Sequence, residues 1–86
     1  MSYKVELAES FAKEFSRNHK DKREWLERMI ERLEQEPQFG KPLRGNLHGL
    51  WQLRIGPFRV WYEINTDEKK VTLRAILHKD DAMKYY

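Results

Sequence analysis

The chain has 86 residues, 40% of them hydrophobic and 36% charged, with a formal net charge of +3. That describes one small domain over residues 1–86, with a single core and a heavily solvated exterior. The absence of cysteine excludes a disulfide framework and thiolate chemistry and fits a reducing, cytoplasmic setting. No apolar run approaches the roughly 20 residues that span a bilayer, and the N-terminus lacks the apolar core of an export signal.

Tyr3-Lys4-Val5-Glu6-Leu7 alternates in polarity and predicts a first strand. From Ala8 the period changes: Ala8, Phe11, Ala12 and Phe15 share one face of a helix. Arg17-Asn18-His19-Lys20 breaks it, and His19 reads there as a solvated loop residue. Asp21, with Glu24 three residues on, predicts the N-cap of a second helix. Its apolar stripe is Trp25, Leu26, Met29, Ile30 and Leu33, and Pro37 ends it. Residues 38–49, with three glycines and Pro42, read as a loop.

Residues 50–64 alternate on both sides of Gly56-Pro57, the signature of a β-hairpin. Trp51, Leu53, Ile55, Val60, Tyr62 and Ile64 fall on one face, and Gln52, Arg54, Arg59, Trp61 and Glu63 on the other. After a polar turn at 65–69, Val71, Leu73, Ala75 and Leu77 alternate with Thr72, Arg74, Ile76 and His78 as a last strand. The tail from His78 to Tyr86 predicts a short helical turn. The resulting fold class is α+β: two N-terminal helices on one face of a mostly antiparallel four-stranded sheet, in the order β-α-α-β-β-β.

By this parity the uncovered sheet face holds Arg54, Arg59, Trp61, Arg74 and His78. Charge is uneven in the same sense. Residues 1–40 carry eight Lys or Arg against nine Asp or Glu, and residues 41–86 carry nine against five. Guanidinium groups beside an aromatic ring suit a phosphate and a nucleobase, so RNA is the expected ligand. His78, at the strand end, could carry a proton near neutral pH. No metal or other cofactor is expected: His19, His48 and His78 lack zinc-ligand spacing. The carboxylates form no hydrolase pair, and the glycines match no phosphate-binding fingerprint.

The run from Leu43 to Ile64, Leu-Arg-Gly-Asn-Leu-His-Gly-Leu-Trp-Gln-Leu-Arg-Ile-Gly-Pro-Phe-Arg-Val-Trp-Tyr-Glu-Ile, resembles the RelE/ParE toxin superfamily, as does the ending Ile76-Leu77-His78-Lys79. The order of predicted elements matches too. The resemblance implies the toxin of a type II toxin–antitoxin pair, held by a RelB-like antitoxin. RelE-like members cleave messenger RNA on the ribosome without metal, by attack of a ribose 2′-hydroxyl on the adjacent phosphate. In that case Arg59 stabilises the transition state, Arg54 orients phosphate, and His78, Lys79 and Tyr85 (or Tyr86) complete the catalytic set. Arg44, Gln52, Trp61, Arg74 and Lys84 would contact RNA. Three positions depart from the family pattern: Gln52 replaces a basic residue, Lys79 an arginine, and Met83 stands where a tyrosine is usual. ParE-like members share the fold, lack the cleavage residues and inhibit DNA gyrase, which is the alternative activity.

Overall fold

A computed structural model describes residues 2–85. Strand β1 (Lys4–Leu7) leads into helix α1 (Glu9–Asn18), and a 3₁₀ turn at Lys20–Lys22 joins it to helix α2 (Arg23–Gln35). A second 3₁₀ turn, Pro37–Phe39, precedes the two-residue strand β2 (Lys41–Pro42), and a third, Gly45–Leu47, follows it. Strands β3 (Leu50–Ile55), β4 (Phe58–Asn65) and β5 (Lys70–His78) come next, then helix α3 (Lys79–Ala82) and a last 3₁₀ turn, Met83–Tyr85. Tyr86, the alternative C-terminal tyrosine, lies outside the described residues.

The sheet is mixed and has five strands in the order β1-β5-β4-β3-β2, not four. β1 runs parallel to β5, from Lys4 opposite Lys70 to Leu7 opposite Leu73. A parallel neighbour requires a crossover, and α1 with α2 supplies it. The fifth strand arises in the predicted loop. Lys41 and Pro42 pair with Gln52 and Trp51, and proline is tolerated there because β2 is an edge. Both residues are exposed, so no polarity pattern announced them.

Asp21 does not cap α2. It sits inside the 3₁₀ turn, and Lys22 takes the N-cap position with no side-chain hydrogen bond. The apolar periodicities hold: Phe11 and Phe15 of α1 stack at 5.9 Å, and Leu26 and Leu33 of α2 are buried with them. They cover the sheet face formed by Leu53, Val60, Tyr62, Val71, Leu73 and Ile76.

Ile76 belongs to that list because β5 is bulged. Trp61 pairs with Ala75, but Tyr62 pairs with Leu73, so Arg74 has no residue opposite. An extra residue inverts the alternation beyond it. Val71 and Leu73 face the helices as predicted; past Arg74, Ile76 and His78 face them instead, and Ala75 and Leu77 turn outward. The placement of His78 on the arginine face is therefore corrected.

Candidate nucleic-acid interface

Gly56, at φ 55°, gives the β3–β4 turn the left-handed first position that a two-residue type II′ hairpin requires. Ile55 and Phe58 close the turn, and next to them Arg54 and Arg59 stand directly opposite each other. Like charges opposed across strands repel. Arg59 is steadied by its own turn: Nη1 donates to the carbonyls of Gly56 (3.2 Å) and Phe58 (3.0 Å). Arg54 is exposed. Neither guanidinium meets a carboxylate among the described residues, so two uncompensated positive charges share the tip of the outer face.

The next outer pair is Gln52 and Trp61. Trp61 is 6% exposed, against the expectation of an open stacking ring. Its indole N–H donates to Gln52 Oε1 at 2.9 Å, and Tyr85 meets its ring edge to face at 5.4 Å between centroids. The C-terminal turn brings Tyr85 there. Its start is tied to the hairpin by the Lys79 amide, which donates to the Pro57 carbonyl at 2.8 Å, and Ala82 is buried. The outer face is thus partly covered, not bare.

Arg74 is neutralised. Its Nε and Nη2 grip Glu63 Oε1 and Oε2 at 2.9 and 3.1 Å, and this pairing raises the guanidinium's affinity for its proton. Lys84 lies 3.4 Å from Asp81. Lys79 and Arg44 are exposed. Arg44, Asn46 and Tyr85 help line a shallow cleft of about 590 Å³ beside β2.

His78, on the helix side, lies edge-on to Phe58 at 5.7 Å. Its Nδ1 accepts the Asp80 amide at 3.1 Å, capping α3, so the neutral ring carries its proton on Nε2. Phe58 also receives His19 edge-on at 4.8 Å and the Lys22 ammonium at 4.5 Å from its centroid. His19 is not solvated: it is 3% exposed, its Nδ1 has no hydrogen-bond partner, and Nε2 lies 3.6 Å from Glu14. Burial, reinforced by Lys22 and opposed by Glu14 and Asp21, lowers its pKa below the usual 6.5. Its spacing was the available signal, since Phe11, Phe15 and His19 recur every fourth residue on one helical face. Among the described residues no group of three or more His, Asp or Glu is placed to hold a metal, and no helix is long and apolar enough to cross a membrane.

A family model described as the ParE toxin of the type II toxin–antitoxin system parDE matches residues 5–83. No curated protein matches the chain in sequence. Solved structures do. A chain of the toxin–antitoxin complex RelBE2 from Mycobacterium tuberculosis is 25% identical, with a TM-score of 0.77 over 91% of this chain and 92% of that one. The archaeal RelE–RelB complex from Pyrococcus horikoshii OT3 gives 22% identity, 92% and 97% coverage and a TM-score of 0.73. A mutant of the Escherichia coli toxin RelE in the free state gives 18% identity, 99% and 92% coverage and a TM-score of 0.80. The last two likenesses speak to the fold alone.

Proposed function

This chain belongs to the ParE toxin family of type II toxin–antitoxin systems, and we propose that it acts as a ribosome-dependent messenger-RNA endonuclease restrained by a RelB-like antitoxin. The observation that carries this reading is the Arg54–Arg59 cross-strand pair, two cations held against their mutual repulsion with no acidic partner among the described residues. A phosphodiester satisfies both at once.

The chemistry follows from that anchor. A ribose 2′-hydroxyl attacks the adjacent phosphorus, the bond to the 5′-oxygen breaks, and a 2′,3′-cyclic phosphate and a 5′-hydroxyl result. Negative charge grows on the non-bridging oxygens, and guanidinium groups fixed beforehand stabilise it without reorganisation. Arg59, braced on two carbonyls, suits the developing charge; Arg54, exposed, suits orientation of the phosphate. A base must take the 2′-hydroxyl proton and an acid must protonate the 5′-oxygen. Lys79 and Tyr85, in the C-terminal segment tied to the hairpin tip and Trp61, are the groups we assign to these transfers. His78 faces the other way and serves as a cap. An antitoxin segment carrying acidic side chains would silence the toxin by occupying the same cations.

A second reading has its own support. Among the described residues of β3, β4 and β5, none on the outer face carries an imidazole, and Gln52, at a position that is basic in many relatives, gives its side-chain carbonyl oxygen to Trp61. A protein so equipped would instead inhibit DNA gyrase by binding it. Induced expression followed by mapping of transcript 5′ ends, beside a supercoiling assay with purified gyrase, separates the two. Cuts within translated codons with unimpaired supercoiling support the nuclease; uncut transcripts with blocked supercoiling support the alternative.

A further inference from the structure

We propose that Trp61 is a positioning residue for the cleavage reaction, seating Tyr85 at the rung next to the Arg54–Arg59 pair instead of stacking on RNA; this rests on the ribonuclease reading above.

Three observations converge on it. Trp61 is 6% exposed, yet it points to the outer face, away from the core that α1 and α2 cover. Tyr85 of the C-terminal segment meets its ring edge to face at 5.4 Å. A ring that serves as a base-stacking platform must present a free face, and this one does not. Second, the indole is fixed in tilt as well as position, because its N–H is committed to Gln52 at 2.9 Å. Third, the segment it receives is a chain end, and beyond the buried Ala82 it is a short turn. The final 3₁₀ turn has three residues, and chain ends fray unless tied down. The Lys79 amide on Pro57 anchors one end, and Tyr85 on Trp61 anchors the other. Tyr85 itself remains 55% exposed, so its phenol is both located and reachable.

Gln52 and Arg54 alternate along β3, as Arg59 and Trp61 do along β4. The indole and the guanidinium pair are therefore successive rungs on one face. Removing the indole takes no contact from either arginine that the structure shows, and takes from the tyrosine the ring it rests on. Loss of position, unlike loss of a binding contact, lowers the rate of the chemical step while substrate still binds.

The test uses full-length protein with 3-fluorotyrosine incorporated, the fluorine resonance of residue 85 being assigned by Tyr85→Phe. Single-turnover cleavage is measured on programmed ribosomes, and affinity on ribosomes whose codon carries a 2′-deoxy sugar at the scissile position. For Trp61→Leu the expected result is a residue-85 resonance moved to its solvent position, cleavage slowed roughly tenfold to a hundredfold, and affinity within about twofold of wild type. Gln52→Leu, which removes the indole's acceptor, should shift both readouts partway in the same direction. Trp61→Leu combined with Tyr85→Ala should be no slower than Tyr85→Ala alone, since the two act through one group. If Trp61→Leu fails to fold, Trp61→Phe and Gln52→Leu carry the test. A fall in affinity with an unmoved resonance would mean that Trp61 touches RNA, and an unchanged rate would mean that it positions nothing; either overturns the proposal. A wild-type protein that cuts no transcript overturns the ribonuclease reading instead, while the fluorine shift still reports the ring contact, so the two failures are distinguishable.

Discussion

The same side chain, arginine, plays three parts on one sheet face. Arg54 is exposed and uncompensated, Arg59 is braced on carbonyls, and Arg74 is absorbed by Glu63. Composition assigns them all to RNA; only the partners distinguish them. Arg74→Ala should therefore leave cleavage unchanged and cost less than about 1 kcal/mol in urea unfolding, because the pair it breaks is half exposed. A large loss of cleavage would return Arg74 to the site. His19 makes the opposite point, a titratable group hidden where a loop residue was expected. Its folded-state pKa lies below 6.5 because burial disfavours the charged ring. Acid then favours the unfolded chain: His19's contribution is complete above about pH 6.5 and declines as pH falls through the lower, folded value. Unfolding midpoints should drop between about pH 7.5 and about pH 5, and His19→Leu should flatten that part of the profile. An unaltered slope in the variant would place the proton elsewhere.

At the level of elements, periodic patterns were readable and backbone irregularities were not. The stripes of α1 and α2 and the alternation of the hairpin gave those elements their places, because burial imposes a period on side chains. β2 was invisible, since two exposed residues, one of them proline, carry no period. The bulge was invisible too. Nothing distinguishes Arg74 from its neighbours by composition, and the inversion it causes moved His78 to the helix side. The parallel pairing of β1 with β5 lies beyond any single strand's pattern, because alternation records a face and not a neighbour. What fixes β2 is a side chain from the core. The Tyr62 hydroxyl donates to the Pro37 carbonyl at 2.8 Å and accepts the Gly40 amide at 2.9 Å. Burial holds its proton above the usual phenol range, so it donates throughout physiological pH. Tyr62→Phe should destabilise by about 1–3 kcal/mol, through two backbone groups left without partners. Gly40→Ala should do comparable damage, because a Cβ there would lie 2.6 Å from the Gln52 carbonyl oxygen. Equilibrium unfolding measures both, and wild-type stability in Tyr62→Phe would show that the phenol anchors nothing.

Across the whole molecule, the helices build a base and the outer sheet face carries the charge. The acidic surplus lies in residues 1–40 and the basic surplus in residues 41–86, so the folded chain has one side suited to a polyanion. The family was legible in the hairpin sequence, and the family model's match over residues 5–83 bears that out; the element order was legible apart from β2. The proposed centre was only half legible. The arginine pair follows from alternation, whereas the Gln52–Trp61–Tyr85 stack depends on how the C-terminal turn folds back, which no strand pattern encodes. The most direct test of the arginine pair is the cleavage rate of Arg59→Ala on programmed ribosomes, with folding checked by thermal unfolding. The account predicts a folded protein slowed by about a hundredfold or more, the usual cost of removing one preorganised charge from a transition state. A folded Arg59→Ala that cuts at the wild-type rate would contradict it.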